Sequence, residues 1–266
     1  MSAGRVDYDR VAPGYDRRHA DGGPQGPARA LAELARAVGA GPVLEAGCGT
    51  GHWLAGLSDV AGGSLYGLDL SAGMLAQAKV RDVALDLVRG RAGRLPFRGD
   101  HFDLVSCVNA IHHFAAPSAF VTEAHRVLRG PQQAGQHGGA LAVIGMDMRN
   151  LRDRWYIYDY FPGTWETDLA RFPAWDRVAV WMAGAGFGEI RWHIVEEIVD
   201  DKRGRAVLQD PFLRKDAISQ LTLLSDEAYA AGVARIEADL AAAEAAGRDL
   251  VFPVDIVLAM MVGWKV

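Results

Sequence analysis

The sequence predicts an α/β protein built on a doubly wound, mostly parallel sheet, and three observations carry that expectation. Strand-like and helix-like apolar stretches alternate through its first two thirds. A strand-like run, Val43-Leu44-Glu45-Ala46, ends in glycines at alternate positions, Gly47, Gly49 and Gly51. The predominantly apolar run from Phe102 to Val108 suits a central strand buried on both faces.

Taken in order, the first helix spans Ala28 to Val38, with Leu31, Leu34, Ala35 and Val38 on one stripe, Pro27 able to begin it and Gly39 to end it. The strand and glycine turn follow, then a helix from His52 to Leu57. A second strand runs from Leu65 to Asp69, a helix from Ser71 to about Lys79, and a short strand from about Ala84 to Val88. After the central strand, Phe120, Val121, Ala124, Val127 and Leu128 mark an amphipathic helix. Arg129 to Gly139 reads as an exposed insertion, Ala140 to Ile144 as the next strand, and Trp175 to Ala185 as a helix stopped by Gly186. Ile190 to Val199 and Phe252 to Trp264 are the last, antiparallel pair of strands. Leu213 to Leu224 and Asp226 to Ala246 form a helical insertion between them.

The expected architecture is one domain with a seven-stranded sheet. Residues 1–42 form a helical cap, 43–148 the core, 149–173 an aromatic lid, 174–200 and 249–266 the end of the core, and 201–248 the helical insertion. A chain of 266 residues, 50% of them hydrophobic, can bury such a core.

Composition narrows the function classes. A net charge of −5 gives no basic face for nucleic acid, and Lys202-Arg203-Gly204-Arg205, preceded by Asp200 and Asp201, reads as a solvated loop. No apolar stretch approaches the roughly 20 residues needed to cross a bilayer, and no basic-then-apolar leader stands at the amino terminus. Two cysteines, Cys48 and Cys107, do not make a disulfide framework, so a reducing, cytoplasmic setting is expected. No C-x-x-C pair or H-E-x-x-H helix points to a metal.

The glycine turn points to a nucleotide-type cofactor. Without a Cβ, the backbone can leave the strand sharply and approach a ligand closely, and the helix after it presents free N–H groups. Asp69 closes the second strand 22 residues after Gly47, where a carboxylate can accept from both hydroxyls of a ribose. The competing readings are an ordinary tight turn at Gly47 and a helix cap at Asp69. A dinucleotide loop would read G-x-G-x-x-G, whereas the third glycine arrives one residue early here and His52 follows it.

At this point the sequence resembles the class I S-adenosylmethionine-dependent methyltransferases, in particular the small-molecule group similar to the ubiquinone-biosynthesis methyltransferases. The resemblance rests on Val43 to Gly51, Leu68-Asp69-Leu70-Ser71 with Met74-Leu75, Leu95-Pro96-Phe97 before Phe102-Asp103-Leu104-Val105, and Glu123-Ala124-His125-Arg126-Val127-Leu128. It implies a Rossmann-like fold and S-adenosyl-L-methionine as cofactor, with S-adenosyl-L-homocysteine as product. It also implies that Glu45, Gly47, Cys48, Gly49, Gly51, Asp69, Leu70, Met74, Ala92 and Asn109 line the cofactor. Asp7-Tyr8-Asp9 and Gly14-Tyr15-Asp16 resemble paired elements of this group, which places Tyr15 at the methionine carboxylate and Tyr8 nearer the acceptor. One departure stands at Arg91, where similar proteins have an aspartate that accepts from the adenine amino group. Arginine cannot accept that bond, so the backbone near Ala92 supplies it, or Arg91 stacks on the base or turns to solvent.

Chemistry is expected just past the central strand, at Asn109 to Phe114, because ligands of open α/β sheets collect beyond the carboxyl ends of the strands. Methyl transfer needs alignment and, for a hydroxyl or acidic carbon, a base. His113, or His112 beside it, is the residue for that proton. Trp155, Tyr156 and Tyr160 are candidates to hold a small, partly apolar acceptor, and sealing a lid or a homodimer contact is the other use of such aromatics. The function expected is methyl transfer to oxygen or carbon of a small organic molecule, with no nucleic acid, membrane or metal. The alternative keeps the fold and cofactor for a non-methylating rearrangement or for binding alone.

Overall fold

The computed structural model describes residues 6–19, 25–133, 136–149 and 154–266. In chain order its elements begin with α1 (Tyr8–Val11), α2 (Gly26–Ala37), β1 (Val43–Ala46), α3 (His52–Ala55), β2 (Leu65–Asp69), α4 (Ala72–Lys79) and β3 (Leu85–Arg89). Next come β4 (Leu104–Val108), α5 (Pro117–Val127), β5 (Ala140–Gly145), β6 (Arg154–Trp155), α6 (Tyr156–Tyr160), α7 (Thr164–Arg171) and α8 (Trp175–Ala185). The chain finishes with β7 (Phe187–Val199), β8 (Lys202–Arg203), α9 (Ser219–Thr222), α10 (Asp226–Ala245), β9 (Val251–Phe252) and β10 (Val254–Lys265). These elements divide between two compact units. The larger holds Pro24–Asp147, Pro173–Glu196 and Leu258–Val266; the smaller holds Met1–Gly23, Met148–Phe172 and Glu197–Val257.

The sheet of the larger unit runs in the order β3-β2-β1-β4-β5-β10, with β7 also paired to β10. The pairs from β3 to β5 are parallel, and β10 runs antiparallel to β5 from Ala259 opposite Gly145 to Trp264 opposite Ala140. This is the doubly wound arrangement expected, with strand direction reversed at the end; because β6 also pairs with β10, the sheet has eight strands rather than the seven expected. β1, β4 and β5 are buried at every position, which is why they read as apolar runs.

Alternate residues of these strands enter two separate cores, as a period of two requires. Leu44, Ala46, Val105, Cys107, Leu141 and Val143 pack with Phe120, Val121 and Ala124 of α5 and Val178 and Met182 of α8. Val43, Leu104, Val108, Ala142 and Ile144 pack with Leu31, Leu34 and Ala35 of α2 and Trp53 and Leu54 of α3. Helices thus cover both faces of the sheet.

Local chemistry sets most boundaries. Pro27 stands at the start of α2, and Ser71 caps α4 by accepting from the Met74 N–H at 3.0 Å. Gly186 ends α8 with φ of 99°. The central strand starts at Leu104 rather than Phe102, because Phe102 is tied instead to the end of α5: its N–H donates to Val127 O, and Arg129 N–H donates to Phe102 O. In the 129–139 insertion, residues 134–135 lie outside those described, and Pro131 to Gln133, Gln136 and His137 are exposed.

The smaller unit contains the first residues of β10, where Val254 and Asp255 pair antiparallel with Trp155 and Arg154 of β6, and the antiparallel pair β8–β9. Residues 150–153 of the expected aromatic lid lie outside those described. Asp168 of α7 is fully buried and accepts from Arg171 at 2.5 Å, Gln220 at 2.6 Å and Tyr158 at 3.0 Å, joining α6, α7 and α9. Phe161 lies against α10 at Gly232, where an added Cβ would collide with its ring. The expected helix over Leu213 to Leu224 is largely replaced by a 3-10 turn at Pro211–Leu213 and the four residues of α9. Ile218 is extended there, and Thr222 Oγ1 donates to Ile218 O and Lys215 O.

Candidate functional site

The carboxyl ends of β1, β2 and β4 bring the loop residues of the larger unit together. Gly47, Gly49 and Gly51 all have positive φ, at 73°, 53° and 73°. The turn leaves β1 tightly because the Gly47 and Cys48 N–H groups both donate to Leu68 O of β2, at 2.7 and 3.1 Å. A Cβ on Gly47 would lie 2.6 Å from Ala110 Cβ and 3.2 Å from Phe114 Cε1, so glycine is what lets the loop meet the turn after β4. A Cβ on Gly49 would meet nothing within 4 Å, so its backbone faces open space.

Two carboxylates flank this loop in different environments. Asp69 accepts from the Gly49 N–H at 2.9 Å and the Ser71 N–H at 2.8 Å, which fixes it against the loop. Glu45 is 1% exposed, and neither of its oxygens has a hydrogen-bond partner among the described residues. Burial pushes its carboxyl from 4.5 to about 8, against the opposing Leu54 N–H dipole, with Asp69 adding to the rise and Arg81 drawing it down. An orphaned buried carboxylate beside an open glycine cradle fits a ligand carrying a cationic amine. Cys48 is buried and its thiol is pushed up by that burial, so it is a poor nucleophile.

Leu70 O accepts from Arg89 Nε at 3.0 Å, Met74 is buried under α4, and Ala92 is buried in the core while Arg91 is exposed. Asn109 ends β4 with φ of 48°, a left-handed conformation asparagine tolerates, and its N–H donates to Ile144 O. A 3-10 turn, Ile111–His113, follows it. Neighbouring side chains on a turn are expected to diverge, yet the half-buried rings of His112 and His113 lie with centroids 3.9 Å apart, tilted at 47°.

Three supporting residues carried no functional expectation. Arg81 donates from Nε to Thr50 O and from Nη2 to Thr50 Oγ1, bracing the glycine loop. Glu123 of α5 accepts from the Leu95 N–H at 2.8 Å, and Arg126 donates to Phe97 O at 2.9 Å and Leu95 O at 3.0 Å. The Glu123-to-Arg126 motif therefore clamps the Leu95-Pro96-Phe97 turn, and the i,i+3 spacing of an acid and a base was its signal.

The remaining candidates lie in the smaller unit. Tyr8 and Tyr15 meet edge to face at 6.0 Å, and Arg18 lies over the Tyr15 ring at 3.7 Å. Trp155 is buried, its ring edge-on to Tyr158. Tyr156 is fully buried with its hydroxyl donating to Asp210 at 2.8 Å, which makes it a packing residue of this unit. Tyr160 donates to Asp239 at 2.8 Å, and burial followed by that carboxylate pushes its phenol to about 12.

Among the described residues, no group of three or more His, Cys, Asp or Glu side chains could hold a metal, and no helix is long and apolar enough to cross a membrane.

Sheet order and strand direction define a doubly wound α/β protein, and comparison with known proteins shows what it is similar to. Residues 44–131 match the family model described as Methyltransferase domain. Demethylmenaquinone methyltransferase from Lactiplantibacillus plantarum is 34% identical in an alignment of 140 residues that covers 46% of this chain and 56% of that enzyme. A crystal structure of a putative methyltransferase from an antibiotic biosynthesis pathway of Anabaena variabilis aligns over 89% of this chain and 95% of its own, with a TM-score of 0.65 and 23% identity. The cyclase SpnF aligns over 89% of this chain and 80% of its own, with a TM-score of 0.53 and 21% identity. The chain is thus similar to class I S-adenosylmethionine-dependent methyltransferases, with the family match confined to residues 44–131 and about half the length of the curated relative covered.

Proposed function

We propose that the protein transfers a methyl group from S-adenosyl-L-methionine to oxygen or carbon of a small, partly apolar organic acceptor. The observation that carries this reading is Glu45, a buried carboxylate without a partner beside the open backbone at Gly49. In it, Glu45 holds the ammonium of the methionine portion, Asp69 accepts from the ribose hydroxyls, and Gly47, Gly49 and Gly51 let the backbone approach. Leu70, Met74, Ala92 and Asn109 complete the cofactor's surroundings. When bound, the cofactor supplies a methyl group already activated by a sulfonium charge. The chain's own residues then have two tasks: to hold the acceptor atom in line, and to take its proton. His113, with the His112 ring against it, takes that proton. The demethylmenaquinone relative makes a ring-type acceptor a first class to try.

The test supplies S-adenosylmethionine with a deuterated methyl group and a metabolite extract, and mass spectrometry looks for labelled products. A labelled product is expected, with the rate falling by about 100-fold or more in a His112→Ala/His113→Ala double variant if the pair supplies the base. Label transfer at the wild-type rate in that variant would leave alignment as the device. A second reading, cofactor bound without methyl transfer, has the shared fold of the cyclase SpnF behind it. It predicts S-adenosylhomocysteine binding with no labelled product from any acceptor class tried.

A further inference from the structure

We infer that this chain reads the purine of its cofactor through Arg91, a hydrogen-bond donor, and therefore binds a 6-oxopurine form as well as the 6-aminopurine form. The inference rests on the cofactor reading above. β1, β2 and β3 lie side by side and parallel, with Asp69 at the end of β2 opposite Arg89 at the end of β3. A ligand with its ammonium at Glu45 of β1 and its ribose at Asp69 of β2 runs along the carboxyl edge of the sheet, so its base continues to the end of β3.

The residues waiting there offer a purine amino group no side-chain acceptor. Gly90 N–H donates to Asp69 O at 2.9 Å, which binds the segment to the ribose acid. Arg94 N–H donates to Arg91 O at 3.0 Å, closing a turn and engaging that carbonyl. Ala92 points into the core, Arg89 is turned to Leu70 O, and Arg91 is exposed. From Arg89 to Arg94 the sequence offers three arginines, two glycines and an alanine, with no carboxylate, amide or hydroxyl side chain. The amino group at purine C6 is a donor and needs an acceptor, which guanidinium never provides. Ring nitrogens of adenine and the C6 oxygen of hypoxanthine are acceptors, and Arg91 can donate to either. The turn therefore lacks the side chain that would reject the oxo form.

Isothermal titration calorimetry with S-adenosylhomocysteine and with S-inosylhomocysteine, its hypoxanthine counterpart, reads this directly. Wild type is expected to bind the two with Kd values within about threefold, because the turn has no side-chain acceptor for the oxo group to leave unpaired. Arg91→Asp, at an exposed position where the fold is not at stake, is expected to prefer S-adenosylhomocysteine by about tenfold or more. Arg91→Ala, the control for loss of charge alone, weakens the inosyl ligand more than the adenosyl one. A larger wild-type preference for the adenosyl form, or a ratio that Arg91→Asp leaves unmoved, overturns the inference while leaving the cofactor reading intact. Failure of wild type to bind either ligand sinks the cofactor reading and the inference with it.

Discussion

A carboxylate taken out of water without a partner is stable only as the acid, or as the anion once a cation arrives. Glu45 is held in the first state, with its carboxyl raised from 4.5 to about 8. The folded protein therefore keeps a proton that the unfolded chain releases, and between those two values its stability falls as pH rises, levelling above about 8. Urea denaturation of the ligand-free protein should show a loss of up to about 1.4 kcal/mol per pH unit across that window, absent in Glu45→Gln. The same slope in both proteins would assign it to another group. A bound ammonium favours the ionised form, so S-adenosylhomocysteine affinity should climb with pH over the same range and binding should release protons. Glu45→Gln keeps the shape and removes the charge, and is expected to weaken that affinity by about 10- to 100-fold. This acid was legible from its place before the glycines, but its lack of a partner was not, because burial on all sides is a property of the packed sheet.

At the scale of elements, strands whose two faces are both covered were legible as apolar runs, and glycines or prolines at their ends marked the turns. The stretch over Leu213 to Leu224 was not. Leu213, Ala217 and Leu221 have helical spacing and all are buried, yet capping at Asp210 and the side-chain bonds of Thr222 break the path into a turn and a short helix. Nor could sequence show that Glu123 and Arg126 act on a turn some thirty residues earlier. Asp168 makes the same point for the smaller unit, where one buried acid gathers partners from three helices. Burial raises its carboxyl against the pull of Arg171, so the pair exchanges solvation for mutual attraction. Asp168→Asn leaves the Arg171 guanidinium, 9% exposed, without its counter-charge, and should cost about 3–5 kcal/mol in urea denaturation. Adding Arg171→Met should restore much of the loss, since the double change removes the charge that was stranded. A cost below about 1 kcal/mol for Asp168→Asn would mean that water reaches the pair.

Across the whole molecule, the residues proposed for the cofactor and the proton lie in the larger unit except Tyr15, and the aromatic candidates for the acceptor lie with Tyr15 in the smaller one. That division explains why the sequence suggests a class of cofactor and no particular acceptor. A loop that must cradle one fixed ligand repeats its glycines and acids from protein to protein, whereas acceptor-binding segments vary with the acceptor and carry only a general aromatic signal. It also gives a measurement with spatial content. Amides in loops open by local fluctuation, and a ligand slows exchange where it must leave before they open. Saturating S-adenosylhomocysteine should slow hydrogen exchange by about tenfold or more at Gly47 to Gly51, Asp69 to Ser71 and Asn109 to His113. Amides of α10 that exchange by local opening should keep their unliganded rates. Glu45→Gln, at a ligand concentration that saturates wild type, should lose protection at all three loops together, because they share one ligand. Loss confined to Gly47 to Gly51 would mean that Glu45 acts on the loop it follows and not on the ligand, and the ammonium assignment would fall.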